Sequence, residues 1–531
     1  CSSTDPWDGQ INVCFINALL LTCLFLRSIL TVSPPGICIM NMLLQGGSAV
    51  DGAIAALLCT SLVNPQSMGI GGGSIVVVRN KTGNVKVYNF RESTPQTFKP
   101  SLLKDCPTKF GLTWIGVPGE LLGYDALHRE YGKLSWAKLF EPTIKLAREG
   151  IPMPPYLARF MSHELLKPHV ETSSLCEVFC NKNKTILRMG DTMQFSKLAE
   201  TLEIIAKEGV KAFYTGRIGL DLIQDIKDAG GTLTVDDLKS YRVRVGSPWT
   251  VSLGNHKMHI APPPAGGALL AFILRIMKGF TSFVKKIQMY HRYIEAAKFA
   301  NGQKRNIRDP AYSSSKMADH LIDPSFIDRI ARLISSNRTH DNSYYRNHKP
   351  LLDNFGTTHV SVMDADGLAV SATSTINQLF GGAVYSKRTG IILNNELVDF
   401  CGRVDSIQGG EQPPSSMSPV ILEKESGGIL VMGGSGGSLI TTSMALSLIN
   451  RLWLGMSLKD SIAAPIIFVS SNNDVNFEPE FDKSVINGLR RLGHKTGNWP
   501  FFLNVVNALE KENGCIAAVS DSRKLGMSAG Y

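Results

Sequence analysis

The chain has 531 residues, 44% of them hydrophobic and 19% charged, which is the make-up of a packed globular protein and excludes a disordered one. Its formal net charge is +10, yet the densest basic groups, Lys285-Lys286 and Lys304-Arg305, are too short for a nucleic-acid tract and read as solvated surface. Ten Cys are too few for a disulfide scaffold.

In chain order, Ile11 to Leu26 is an uncharged apolar run of 16 residues. That is shorter than the ~20 of a typical membrane-spanning helix and long for the apolar stretch of a secretion signal. A buried core helix is the plainer reading; the N-terminal position favours a signal-anchor over 11–26. Asp5 and Asp8 precede the run and Arg27 follows it, the reverse of what a cytosolic N-terminus requires. A chain that opens on Cys1 instead of Met is expected to lack residues upstream.

Ala49 to Leu62 has a helical apolar pattern, with Ser48 as N-cap and a stop before Asn64-Pro65. Gly69 to Gly73 leads into alternating strands at Ile75 to Val78 and Val85 to Asn89. Without a Gly-Lys-Thr/Ser ending the glycine run is no phosphate loop, and close backbone packing is expected there. Arg91 directly follows the second strand. Its planar guanidinium suits a carboxylate held by two parallel hydrogen bonds, the plainer reading being a surface pair with Glu92.

From Gly119 to Gly356 the pattern is mainly helical, at Leu121 to Tyr131, Trp136 to Arg148, Leu198 to Lys207, Ile218 to Asp228, Gln288 to Ala300 and Phe326 to Ile334. Thr234-Val235-Asp236-Asp237 has the form of a helix start and Pro262-Pro263-Pro264 that of a rigid connector. Cys176 and Cys180, without a second pair or nearby His, are poor zinc ligands. Asn80, Asn183 and Asn337 head N-x-S/T sequons in polar, turn-like segments and would accept glycans in a secreted protein. No internal repeat or linker divides the chain, and no metal or organic cofactor is indicated.

Asn354 to Asn377 reads as a hairpin, with runs at His359 to Met363 and Leu368 to Ser374 around Asp364-Ala365-Asp366-Gly367. Thr357 stands at its start, after Gly356. A Thr hydroxyl needs an adjacent base, and cutting the chain before Thr357 would supply one, an α-amine with an ordinary pKa near ~7.7–8.0. Gly356 leaves its carbonyl open to that hydroxyl. The plainer reading is a loop ending in a Thr-rich strand. An antiparallel return brings Thr375 and Asn377 back beside Thr357.

Glu396 and Asp399, three apart, form either an acid–base pair or a socket for an ammonium group. Ser415 and Ser416 are hydroxyl donors or a polar turn. Gly433 to Gly437 joins a strand, Ile429 to Met432, to a helix from Ile440 to Leu452, a natural anion nest. The same segment fits G-x-S-x-G, which nominates Ser435 as a serine nucleophile with a late His such as His494, and Asp460, Asp474 or Glu478 as the acid.

Several segments carry a family resemblance: Gly46 to Asp51, Gly356 to Ser361, Ser371 to Asn377, Gly390 to Glu396, Pro414 to Met417, Gly433 to Gly437 and Ser528 to Tyr531. In that order the chain resembles the gamma-glutamyltransferases (glutathione hydrolases), which are N-terminal-nucleophile hydrolases. The resemblance implies a four-layer αββα sandwich, with self-cleavage between Gly356 and Thr357. A large chain, 46–356, and a small catalytic chain, 357–531, would stay associated behind an atypical N-terminal segment, 1–45.

It also implies Thr357 as nucleophile, Thr375 orienting its hydroxyl, and Gly436 and Gly437 holding the oxyanion. Arg91, Ser415 and Ser416 would take the substrate α-carboxylate, and Asn377, Glu396 and Asp399 its α-amino group. Val398 replaces an Asp common in the family, as in the leukotriene-converting branch. Implied substrates are glutathione, glutathione conjugates and leukotriene C4, with amino acid or dipeptide acceptors. The family is glycosylated and membrane-anchored with its catalytic part outside the cell. It has a Cys176–Cys180 disulfide and a partner for Cys59 near Pro35, where only Cys38 is close. An unprocessed, non-catalytic family member is the remaining alternative.

Overall fold

The computed structural model describes residues 10–14, 34–106, 112–164, 166–278, 286–314, 316–348, 356–403, 405–497 and 505–530. Its main strands in chain order are β1 Gln10–Cys14, β2 Gly73–Arg79, β3 Val85–Phe90, β4 Arg244–Gly246, β5 Trp249–Leu253, β6 His256–Ile260, β7 Thr358–Met363, β8 Ala369–Thr375, β9 Val420–Lys424, β10 Ile429–Ser435, β11 Val505–Glu512 and β12 Cys515–Val519. They make two antiparallel sheets. One has seven strands in the order β1-β12-β11-β10-β9-β6-β5, the other five in the order β4-β3-β2-β8-β7.

The period-2 alternation of the strands sets the layers. In β2, Ile75 and Val77 point into an apolar layer between the sheets with Met363, Ile421 and Val431. Val76 and Val78 point the other way, toward helices α1 Pro34–Leu44, α2 Ala49–Val63, α3 Glu120–Tyr131 and α4 Trp136–Glu149. On the far side, α5 Gly267–Met277, α6 Lys286–Gln303 and α7 Leu439–Leu452 pack on Met258, Ile260, Leu422 and Met432 of the larger sheet. The result is the expected αββα sandwich.

The periodicity-based helices form close to their expected ends; Leu198 to Lys207 is realised as Ser196–Glu208, Ile218 to Asp228 as Arg217–Asp228, and Phe326 to Ile334 as Pro324–Leu333. Ser48 caps α2 through a reciprocal pair in which Asp51 N–H donates to Ser48 Oγ at 3.1 Å and Ser48 N–H to Asp51 Oδ2 at 2.8 Å. Cys38 pairs with Cys59 and Cys176 with Cys180. The Asn183 and Asn337 sequons are exposed and Asn80 is half-buried.

One expectation needs correction. The helical stretch before Gly356 is interrupted by β4, β5 and β6; Trp249 to Leu253 alternates, turns at Gly254 (φ +73°) and returns as β6, completing one edge of the larger sheet. The apolar run expected as a signal-anchor over 11–26 begins as strand β1, paired with β12, and its residues from 15 onward lie outside the described residues. Among the described residues no helix is long and apolar enough to cross a membrane.

The two sheets approach closely where β10 passes β7. A Cβ at Gly433 would lie 2.1 Å from the His359 ring. That ring bonds Thr373 Oγ1 at 2.8 Å and Ser361 Oγ at 2.9 Å, and burial lowers its pKa to about 3, so it is neutral. Gly433→Ala should therefore lower stability by about 1–3 kcal/mol through overpacking, read from the midpoint of urea unfolding. An unchanged midpoint would contradict this close contact.

Candidate active site

Antiparallel pairing sets Ser374 of β8 opposite Thr358 of β7. The next residue outward on each side therefore meets its counterpart: Thr357 Oγ1 donates to Thr375 Oγ1 at 3.3 Å. Thr375 Oγ1 also accepts the Asn377 N–H at 2.9 Å. Thr357 and Thr375 share strand parity with Met363 and Ala369 and face the inter-sheet layer, where both are buried.

The backbone here is confined. Gly356 has φ +139° and Thr357 φ +85°, the latter a rare conformation for a β-branched residue. A Cβ at Gly356 would lie 1.8 Å from the Asn377 carbonyl oxygen. Gly72, in the first glycine run, likewise has room only for hydrogen, since a Cβ there would stand 2.1 Å from the Thr375 carbonyl oxygen. Across the sheet gap, Gly436 (φ +117°) and Gly437 (φ +59°) turn β10 into α7. The Gly436 N–H donates to the Gly356 carbonyl at 2.9 Å. The carbonyl before Thr357 is thus polarised by an amide at a helix entrance, and the Thr357 hydroxyl is the side chain next to it.

Arg91 leaves the end of β3 fully buried, so the surface-pair reading does not hold. Its guanidinium meets Glu396 Oε1 at 2.6 Å and Asp399 Oδ2 at 2.7 Å, and donates to the Pro413 and Pro414 carbonyls at 2.8 and 2.7 Å. Glu396 and Asp399 share the short 3-10 helix Glu396–Phe400, and Asn377 Nδ2 donates to Asp399 Oδ1 at 3.2 Å. Arg91, Asn377, Glu396 and Asp399, which the family resemblance groups together, therefore converge in the structure. Ser415 and Ser416 follow the two Pro carbonyls; Ser415 Oγ accepts the Met417 N–H within its own turn.

One guanidinium faces three carboxyls, Glu396, Asp399 and Glu92. Burial pushes Glu396 up to about 7 against the opposing pull of Arg91, and it also raises Asp399. Glu92 is raised well above the usual range, first by burial and then by the charge of Glu396. No N–H or O–H donor of the described residues reaches a Glu92 oxygen, and its carboxyl adjoins that of Glu396. Both shifts favour the neutral form of a carboxyl in this cluster.

Sequence reasoning missed Glu92 in this role and missed Lys524. The Lys524 ammonium donates to Ser435 Oγ at 2.9 Å, and burial lowers its pKa to about 7. It ties the C-terminal segment to the residue before Gly436; no periodicity marks it, although Ser528 to Tyr531 of the family resemblance lies close by.

The competing serine reading fails on geometry. His494 is bonded to His291 at 2.7 Å and to Lys298 at 3.1 Å, and Ser435 is held by Lys524 instead. His291, Glu295 and His494 are also the group, among the described residues, whose donor atoms lie close enough for one metal ion. The Lys298 ammonium sits 3.7 Å from Glu295 and already fills that corner with positive charge. A cavity of about 510 Å³ runs along the outer edge of β7 past Thr358, Ser435 and Lys524, but Thr357, Arg91, Glu396 and Asp399 do not line it.

The family model for gamma-glutamyltranspeptidase matches residues 37–531. The chain belongs to the gamma-glutamyltranspeptidase family. This family membership makes it an enzyme of gamma-glutamyl hydrolysis or transfer, on an N-terminal-nucleophile hydrolase fold. It is 45% identical to the rat glutathione hydrolase 5 proenzyme and 43% identical to the human one, each match covering 92% of this chain and 90% of the relative. The gamma-glutamyltranspeptidase of Helicobacter pylori is similar in structure, with a TM-score of 0.54, 27% identity and coverage of 59% of this chain and 93% of that one. The cephalosporin acylase of Bacillus halodurans shares the fold, with a TM-score of 0.81 at 23% identity and 92% coverage of both chains.

Arg91→Met should cost the protein about 3–5 kcal/mol near pH 8, because it leaves buried carboxylates unpaired. The sign with pH follows from the raised pKa of Glu396. A folded carboxyl that keeps its proton up to about 7 contributes stability that is full below its ordinary value near 4.5 and is lost as pH rises through 7. Without Arg91 that loss steepens, so the deficit of the variant should shrink as pH falls from 8 to 5. A pH-independent deficit in urea unfolding would contradict the charge cluster.

Proposed function

We propose that this chain is the precursor of a self-cleaving gamma-glutamyl hydrolase and transpeptidase, with Thr357 as its nucleophile. The observation that carries the reading is the Gly436 N–H on the Gly356 carbonyl, beside the buried Thr357 hydroxyl. In the first step Thr357 Oγ attacks the Gly356 carbonyl carbon, and the oxyanion forms on the oxygen that Gly436 already holds. The peptide N–C bond breaks to leave an ester, and water hydrolyses it to a Gly356 carboxylate and a free Thr357 amine. The large chain, 46–356, and the small chain, 357–531, stay together through the shared sheets.

The freed amine then serves as the base for its own hydroxyl. The Thr357 hydroxyl attacks the γ-carbonyl of a bound substrate, with Gly436 and Gly437 as oxyanion donors, and expels the amine of the leaving peptide. Water, or the amine of an amino acid or dipeptide, resolves the gamma-glutamyl ester. Recognition of the free end of the substrate follows from the charge cluster. Arg91 offers a cation to the α-carboxylate, with Ser415 and Ser416 beside it, and Glu396, Asp399 and Asn377 accept the α-ammonium.

The substrate class is glutathione, its conjugates and leukotriene C4; the likeness to relatives named glutathione hydrolase 5 proenzyme supports it. The chain is further read as a glycoprotein at Asn80, Asn183 and Asn337, anchored near its N-terminus with the catalytic part outside the cell. The exposed sequons at Asn183 and Asn337 and the disulfides support an oxidising compartment.

Turnover of a gamma-glutamyl anilide separates the two nucleophiles. Thr357→Ala should reduce kcat by at least about 1000-fold, while Ser435→Ala keeps measurable hydrolysis. Loss of activity in Ser435→Ala alone would overturn the threonine mechanism. Release of leukotriene D4 from leukotriene C4 by the wild type tests the narrower substrate; no release alongside active glutathione hydrolysis would remove it.

A further inference from the structure

Cys106 and Cys401 are joined by a disulfide, with Cα atoms 5.7 Å apart and 295 residues between them in sequence. That separation within space is ordinary for a disulfide; the placement is not. Cys106 precedes the Gly356–Thr357 bond and Cys401 follows it, whereas Cys38–Cys59 and Cys176–Cys180 close short loops of the large chain, at separations of 21 and 4.

Cys401 also ends the 3-10 helix that carries Glu396 and Asp399, and its N–H donates to the Val398 carbonyl at 2.9 Å. Around it lies a small apolar cluster of Trp114, Leu397, Val398, Phe400 and Ile407, separate from the three larger clusters of the sandwich. The acidic turn is therefore fastened to the body by Arg91 on one side, and by this small cluster and its sulfur bridge on the other.

We propose that Cys106–Cys401 is a thiol-exchange site. It bonds the large chain to the small one after the cut and holds the Glu396–Asp399 turn in its binding position, and small thiol peptides open it. The proposal rests on self-cleavage before Thr357. Opening is a two-electron reduction. A thiolate attacks Sγ of half-buried Cys106 and forms a mixed disulfide, and Cys401, which is 6% exposed, leaves as a thiolate and takes up a proton. A second thiol displaces Cys106 and leaves as the oxidised disulfide of the two small thiols. The products are two Cys thiols and a turn that keeps Arg91, the Asn377 and Asn394 hydrogen bonds and its apolar neighbours but has lost its covalent tie.

The test uses the full-length purified protein, alkylated without reduction, digested and analysed by mass spectrometry. Because Cys515 is also disulfide-bonded, the bridge is read from the linked peptides and not from gel mobility. The expected result is a Cys106 peptide linked to a Cys401 peptide, lost on dithiothreitol treatment, in a sample that also yields a peptide beginning at Thr357. Alkyl label on both Cys together with that new terminus overturns the bridge and leaves self-cleavage standing. An unbroken peptide across Gly356–Thr357 overturns self-cleavage, and the inter-chain role with it.

The positioning role has its own readout, with a gamma-glutamyl anilide because it carries no thiol. Dithiothreitol-treated wild type and untreated Cys106→Ser should both show KM raised at least about fivefold with kcat within about twofold. Dithiothreitol should not change the variant further. Wild-type KM in both samples overturns the positioning role, and so does a fall in kcat alone.

Discussion

The amide of Gly436 donates to the carbonyl of Gly356 across the gap between two β-sheets, and the neighbouring sequence is constrained by keeping those groups 2.9 Å apart. A hydrogen bond between facing sheets needs a gap with no side chain in it. Gly433 provides that gap against the neutral ring of His359, Gly356 fits against the Asn377 carbonyl, and Gly72 fits against the Thr375 carbonyl. Gly433 opens the gap between the sheets, and Gly356 and Gly72 let neighbouring backbone of the five-stranded sheet approach closely. The strained φ of Thr357 is held by the same contacts.

Electrostatics supply the second constraint. Burying Arg91 with three carboxyls is costly unless each charge finds a partner. The cluster meets this by pairing Arg91 with Glu396 and Asp399, while burial and the charge of Glu396 raise the pKa of Glu92. Such a site presents a cation and anions side by side, a pattern complementary to the ammonium and carboxylate of a free amino-acid end.

Much of this was legible in the sequence because it follows local rules. Alternation gave β2, β3, β7 and β8, apolar periodicity gave α2, α3 and α4, and the Ser48 cap was readable from residue type alone. Thr357, Thr375 and Gly356 were legible because a hairpin register brings them together over a short span. The β5–β6 hairpin is hard to read because its two five-residue strands mix polar with apolar residues and follow a long, mainly helical stretch. Glu92 and Lys524 were not legible. Their roles arise from burial and from partners such as Glu396 and Ser435, and no spacing rule encodes contacts made through the folded core. The triad imagined around Ser435 and His494 failed for the same reason: the motif was local, but its partner residue belongs to another network.

Thr357 is either an interior residue or the first residue of a chain, and intact mass with N-terminal sequencing of the purified protein decides between them. Wild type is expected to give two polypeptides, the smaller beginning Thr-Thr-His-Val-Ser, and Thr357→Ala a single unbroken chain. An unbroken wild-type chain that still turns over gamma-glutamyl compounds would contradict the mechanism, as would the same two polypeptides from Thr357→Ala.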